Sequence, residues 1–148
     1  MSKIKSFRGL ITDGGQDRVH LRTNDGSTGY KIVKFEIWPT DSFGVANLEL
    51  VGKVTQTEQT VIDDAFNFSD QDILAGAYFT ISTGALASKA VIFDNMVFNQ
   101  DIFVSMVDQS GNLAGNYYLE LEQMKLNLNE NTVATLKDIR NITRSTPT

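Results

Sequence analysis

The sequence predicts a mainly β domain, an antiparallel, jelly-roll-like β-sandwich of about eight to nine strands ending in one short C-terminal α-helix. Three observations predict it. Turn-forming clusters recur at short intervals: Asp13-Gly14-Gly15, Asn24-Asp25-Gly26, Asp41-Ser42-Phe43-Gly44, Thr83-Gly84 and Asp108-Gln109-Ser110-Gly111-Asn112. The stretches between them are rich in Val, Ile, Phe and Tyr, and several alternate apolar with polar residues, as a half-buried strand does. Near the C-terminus the apolar spacing lengthens to that of a helix face.

The elements follow in order. Ile4 to Thr12 is a first strand. Arg18 to Arg22 alternates strictly, with Val19 and Leu21 inward and basic groups outward, and Asn24-Asp25-Gly26 supplies a tight turn after it. Tyr30 to Trp38 places Val33, Phe35 and Ile37 on one face and Lys34 and Glu36 on the other, and Pro39 ends it by removing a ladder donor. Val45 to Val54 alternates again. Residues 55–72 are more polar and read as a strand fragment near Thr60–Ile62 followed by a loop.

Ile73 to Ser82 and Lys89 to Phe98 are the most apolar stretches and read as central strands covered on both faces. Asp101 to Val107 and Asn116 to Leu128 flank Asp108–Gly115 as the arms of a hairpin. In the second arm Tyr117, Leu119 and Leu121 fall on one phase and Met124, Leu126 and Leu128 on the other, so a bulge near Glu122–Gln123 is expected. Asn129 caps a helix over about 130–142 whose stripe is Val133, Leu136, Ile139 and Ile142, and residues 144–148 form a frayed tail.

One domain spanning 1–148 is expected, because 148 residues match ordinary domain size. Such a chain buries roughly 68–70% of its unfolded surface and needs no staple. It contains no cysteine, which excludes disulfides, thiolate nucleophiles and Cys-based metal sites. No apolar run approaches a membrane span, and no h-region follows the basic N-terminus, so neither a membrane anchor nor a signal peptide is read. The net charge of −5 argues against general nucleic-acid binding. The charge is lopsided: residues 1–34 carry seven basic and three acidic groups, and the remainder carries six basic and fifteen acidic. Lys3, Lys5, Arg8, Arg18 and Arg22 are candidate contacts to an acidic partner, the plainer reading being that the charges interleave in three dimensions and cancel.

Little catalytic chemistry is legible. His20 is the only histidine and stands between Arg18 and Arg22, which disfavour the imidazolium; it reads as a surface residue. Asp63, Asp64, Asp70 and Asp72 offer oxygen ligands for Ca²⁺, but the spacing does not match an EF-hand loop, and a solvated loop is the better reading. No metal or other cofactor is expected. Phosphate-loop and nucleophile-elbow motifs are absent. Asn67-Phe68-Ser69 and Asn141-Ile142-Thr143 match the glycosylation acceptor pattern and read as chance without a secretory signal. Trp38 and Tyr118 are candidates for a carbohydrate or peptide platform, although Trp38 at a strand end reads first as a lid on the core.

Two stretches carry a resemblance. One is Phe7-Arg8-Gly9-Leu10-Ile11-Thr12-Asp13-Gly14-Gly15-Gln16-Asp17, leading to Thr28-Gly29-Tyr30-Lys31-Ile32. The other is Asn116-Tyr117-Tyr118-Leu119-Glu120-Leu121-Glu122, leading to Thr135-Leu136-Lys137-Asp138-Ile139-Arg140. This pattern resembles small, cysteine-free proteins encoded by tailed phages of aquatic bacteria, which serve as virion components and include β-sandwich capsid decoration, or cement, proteins. The resemblance implies a non-enzymatic structural role with no catalytic residue. It further implies synthesis in the host cytoplasm, residence in the virion, contacts with a major capsid or other virion protein, and a closed homo-oligomer such as a trimer. The alternative is a carbohydrate-recognising module of a phage fibre or surface protein.

Overall fold

The computed structural model describes residues 3–23, 26–40, 47–83, 85–93 and 96–127. Eight strands lie among them: β1 (Lys3–Ile11), β2 (Gly15–Val19), β3 (Thr28–Pro39), β4 (Asn47–Thr55), β5 (Ile73–Ser82), β6 (Ala85–Ile92), β7 (Ile102–Asp108) and β8 (Gly115–Lys125). They form two sheets, one of three strands in the order β1-β8-β3 and one of five in the order β2-β7-β4-β5-β6. Every neighbouring pair is antiparallel. The predicted C-terminal helix over 130–142 and the tail lie outside the described residues.

The two sheets face each other across one core, because each strand buries alternate side chains. Phe35, Ile37, Leu119 and Leu121 come from the smaller sheet, and Leu48, Leu50, Val54, Ile102, Val104 and Met106 from the larger. Burying each such side chain contributes about 1.5–3 kcal/mol. The chain changes sheet between β1 and β2 through a tight turn in which the Gly15 N–H donates to the Thr12 carbonyl at 2.8 Å. Gly14 occupies a left-handed conformation there, with φ of 78°, which favours glycine.

The expected hairpin of residues 101–128 does not form. β7 pairs with β2 and β4, while β8 pairs with β1 and β3 in the other sheet. The connection is a crossover, held at its start by Asp108. Its carboxylate accepts the Ser110 N–H at 3.0 Å, the Ser110 hydroxyl at 2.8 Å and the Leu113 N–H at 3.1 Å. At the far end a Cβ on Gly115 would stand 2.9 Å from both Leu50 and Met106, so the chain can change sheets here only with a bare backbone.

The bulge expected in β8 near Glu122–Gln123 does not form, and the irregularity lies instead on the neighbouring strand. β8 stays in register with β1 from Gly115 to Gln123, and β3 carries the irregularity between Ile32 and Lys34. Val33 is the displaced residue and lies exposed, so Ile32 takes the buried place expected of it. β8 ends at Lys125, and Leu126 folds over the bare backbone of Gly29, which explains why its phase looked discordant.

Three further expectations are corrected. The strand read through Arg22 ends at Val19, because the Leu21 and Arg22 N–H groups turn to the Asp101 carboxylate at 2.8 and 2.9 Å. Residues 60–62 form bends between irregular segments and join no strand. The apolar stretch 89–98 is not a central strand: β6 starts at Ala85, lies at the sheet edge, and is exposed along nearly its whole length.

Candidate interaction surface

Alternation along β3 turns Lys34, Glu36 and Trp38 to the outer face of the three-stranded sheet. The register brings β8 and β1 side chains beside them. Asn116 lies between Leu10 and Trp38, and Tyr118 lies between Arg8 and Glu36. Trp38 and Tyr118, separated by eighty positions of sequence, therefore share one face. Together with Arg8, Leu10 and Asn116 they line a shallow cleft of about 430 Å³. The Lys34 ammonium stands 5.9 Å from the centre of the Tyr118 ring and 3.7 Å from the Glu36 carboxylate. The face thus combines an aromatic pair with both signs of charge.

The indole of Trp38 also closes the edge of that face. It packs at 35° to the Phe79 ring of the opposite sheet, with centroids 6.2 Å apart, yet remains 57% exposed. Beyond it lies a second cleft of about 440 Å³. Its walls are Glu36, Ile37 and Trp38 of β3 and the inward phase of the β5–β6 hairpin, including Phe79, Leu86 and Ala90. This cleft exists because the two sheets are unequal. With three strands over five, the inner face of β6 has no partner strand above it among the described residues, and Leu86 is left 58% exposed.

The basic candidates do not form one patch. Lys3, Lys5 and Arg8 are on β1 in the smaller sheet, whereas Arg18 and Arg22 are on or beyond β2 in the larger. Arg18 is engaged within the fold: its Nε donates to Asp101 at 2.8 Å, and its guanidinium lies 5.6 Å from the Phe103 ring centre. Asp101 also stands 3.7 Å from Nδ1 of His20, an acidic neighbour that the local sequence around His20 does not reveal. Burial pushes the Asp101 carboxyl up, but the N–H groups of Arg22 and Leu21 and the Arg18 side chain outweigh it and hold it below the usual carboxylate range.

The acidic loop is organised by separate bonds. Asp72 is buried and accepts the Thr57 N–H at 2.9 Å, the Thr57 hydroxyl at 2.8 Å and the Gln59 side-chain amide at 2.8 Å. Asp70 accepts the Asp72 N–H at 3.0 Å. Asp63 pairs with Lys53 at 3.1 Å, and Asp64 is exposed. Among the described residues, no three histidine or carboxylate side chains stand together as a metal site.

Asp101 and Asp108 are the polar anchors that sequence reasoning missed. Asp101 reads as the first residue of a strand and does not show in sequence the Leu21 and Arg22 N–H groups it accepts; Asp108 reads as a turn residue and does not show the Glu49 N–H it accepts at 3.4 Å. Leu86 was missed as a lining residue, because nothing local distinguishes an exposed apolar strand from a buried one.

No family model and no curated protein matches the chain. Among solved structures it is similar to one described as "Bacillus endospore appendages form a novel family of disulfide-linked pili". The identity is 12%, over 86% of this chain and 92% of that one, with a TM-score of 0.31.

Proposed function

We propose that this chain is a non-enzymatic structural protein of a virus particle, a capsid decoration or minor capsid protein that works through protein–protein contacts. The observation that carries the assembly reading is the incomplete sandwich: an edge strand exposed along nearly its whole length, beside a cleft that no strand among the described residues covers. Such an edge is an aggregation hazard unless a partner covers it. The resemblance to phage virion proteins supports the particle. The jelly-roll reading belongs to the same proposal. In an eight-stranded jelly roll the sheets run 1-8-3-6 and 2-7-4-5. This chain follows that order except that β6 has moved beside β5.

The test is to purify particles from a culture producing this protein and to mix the purified chain with particles lacking it. Saturable binding and presence in washed particles are the expected results. Absence from both contradicts the reading.

A second reading is favoured by one observation, the convergence of Trp38 and Tyr118 on one cleft. Aromatic faces of this kind stack on sugar rings. Saturable binding on a glycan array, lost on Trp38→Ala, would establish it in place of the first.

A further inference from the structure

We propose that a second copy of this chain completes the sandwich, with β6 of each copy lying beside β3 of the other about a two-fold axis parallel to the strands. This rests on the structural-subunit reading above and names the partner and the surface.

Among the described residues the smaller sheet stops at β3, while the larger continues under it to β6. The recess in one layer and the overhang in the other form a step. A copy turned about an axis along the strands presents the same step inverted, so each layer then holds three strands of one copy and five of the other. Direct pairing of two β3 edges is blocked, because the overhanging β6 strands collide first.

Strand direction agrees. The reversal at Thr12–Gly14 sets β2 against β1, and the successive antiparallel pairings then make β6 run opposite to β3. A two-fold axis along the strands preserves direction, so β3 and the partner copy's β6 meet antiparallel. That lane beside β3 already accepts antiparallel backbone at one end, where Phe98 bridges Tyr30. Past Tyr30, β3 continues to Pro39, long enough to take the eight residues of β6.

The chemistry also agrees. In β6, Leu86, Ser88 and Ala90 pair with the inward Ile81, Phe79 and Ala77 and so face the cleft, while Ala87, Lys89 and Val91 face outward. Setting Glu36 opposite Lys89 of the second copy places opposite charges side by side on the outer face. The same register sets Trp38 opposite Ala87, where a small side chain leaves room for the indole, and the two-fold axis makes each contact twice. The exposed apolar groups Trp38, Leu86 and Val91 all lie at this junction.

Sedimentation equilibrium of the full chain tests this, with particle binding scored on the same samples. The wild type is expected at twice the 16.4 kDa chain mass. Glu36→Lys should weaken association by about tenfold or more, with an unchanged circular dichroism spectrum, and adding Lys89→Glu should restore it. Because the chain has no cysteine, mixing a Glu36→Cys chain with a Lys89→Cys chain should give a disulfide-linked pair. A monomer throughout overturns the proposal, as does an oligomer indifferent to the charge swap that forms no such link. A monomer that still binds particles overturns the dimer and leaves the structural role. A charge-sensitive dimer that binds no particle supports the dimer and counts against that role.

Discussion

Tyr30 and Phe98 exchange both of their backbone hydrogen bonds, at 2.8 and 2.9 Å, and stack their rings with centroids 6.3 Å apart. This bridge is the one place among the described residues where backbone pairs with the outer side of β3. It seals the sandwich at the start of β3, and between it and Trp38 the backbone of that edge has no strand partner among the described residues. Phe98 is almost completely buried. Phe98→Ala should therefore lower unfolding free energy by about 3–5 kcal/mol, measured by urea denaturation.

Asp101 ties the end of β2 to the start of β7 by accepting the Leu21 and Arg22 N–H groups and the Arg18 guanidinium. Asp101→Ala should destabilise by about 2 kcal/mol at neutral pH. The carboxyl is held below its ordinary range. Its contribution is therefore present above the unfolded carboxylate value of about 3.9 and is lost as pH falls through the folded value. The gap between wild type and variant should close on acidification, which urea titrations at several pH values will show.

Asp72 behaves in the opposite sense. Burial pushes its carboxyl up, hydrogen bonds from Thr57 and Gln59 oppose this in part, and the Asp70 charge adds to the rise. The stability tied to its proton is full below the unfolded carboxylate value and is lost as pH rises through the folded one. Asp72→Asn should therefore cost most in acid and progressively less toward neutral pH. Carbon-detected NMR of the side chain should place the Asp72 midpoint above that of an ordinary aspartate.

The period-two alternation made most strands legible, and β1, β3, β4 and β5 fall close to where it put them. It could not show which strands pair, since an alternating segment presents the same face to any neighbour. That is why β7 and β8 read as a hairpin. Nor could it show β6 as an edge, because burial depends on what lies opposite. Asp101 was invisible for another reason: its donors at Leu21 and Arg22 are 80 and 79 positions away. Trp38 and Tyr118 were identifiable by residue type, and only the β3–β8 register shows them to be neighbours.

The turn between β5 and β6 carries Thr83 at φ of 47°, a left-handed conformation that a β-branched residue adopts at a cost. Asn tolerates it better. Thr83→Asn should raise stability by about 1 kcal/mol, read as an increase in Tm, without altering the association of β6.

Hydrogen exchange along β3 tests the central claim that this open sandwich is completed by a second copy. On the outer edge of β3, amides between Lys31 and Trp38 should exchange fast in dilute protein and gain protection as concentration rises. Glu36→Lys should abolish that gain. Exchange at this edge that stays fast at every concentration would contradict the account.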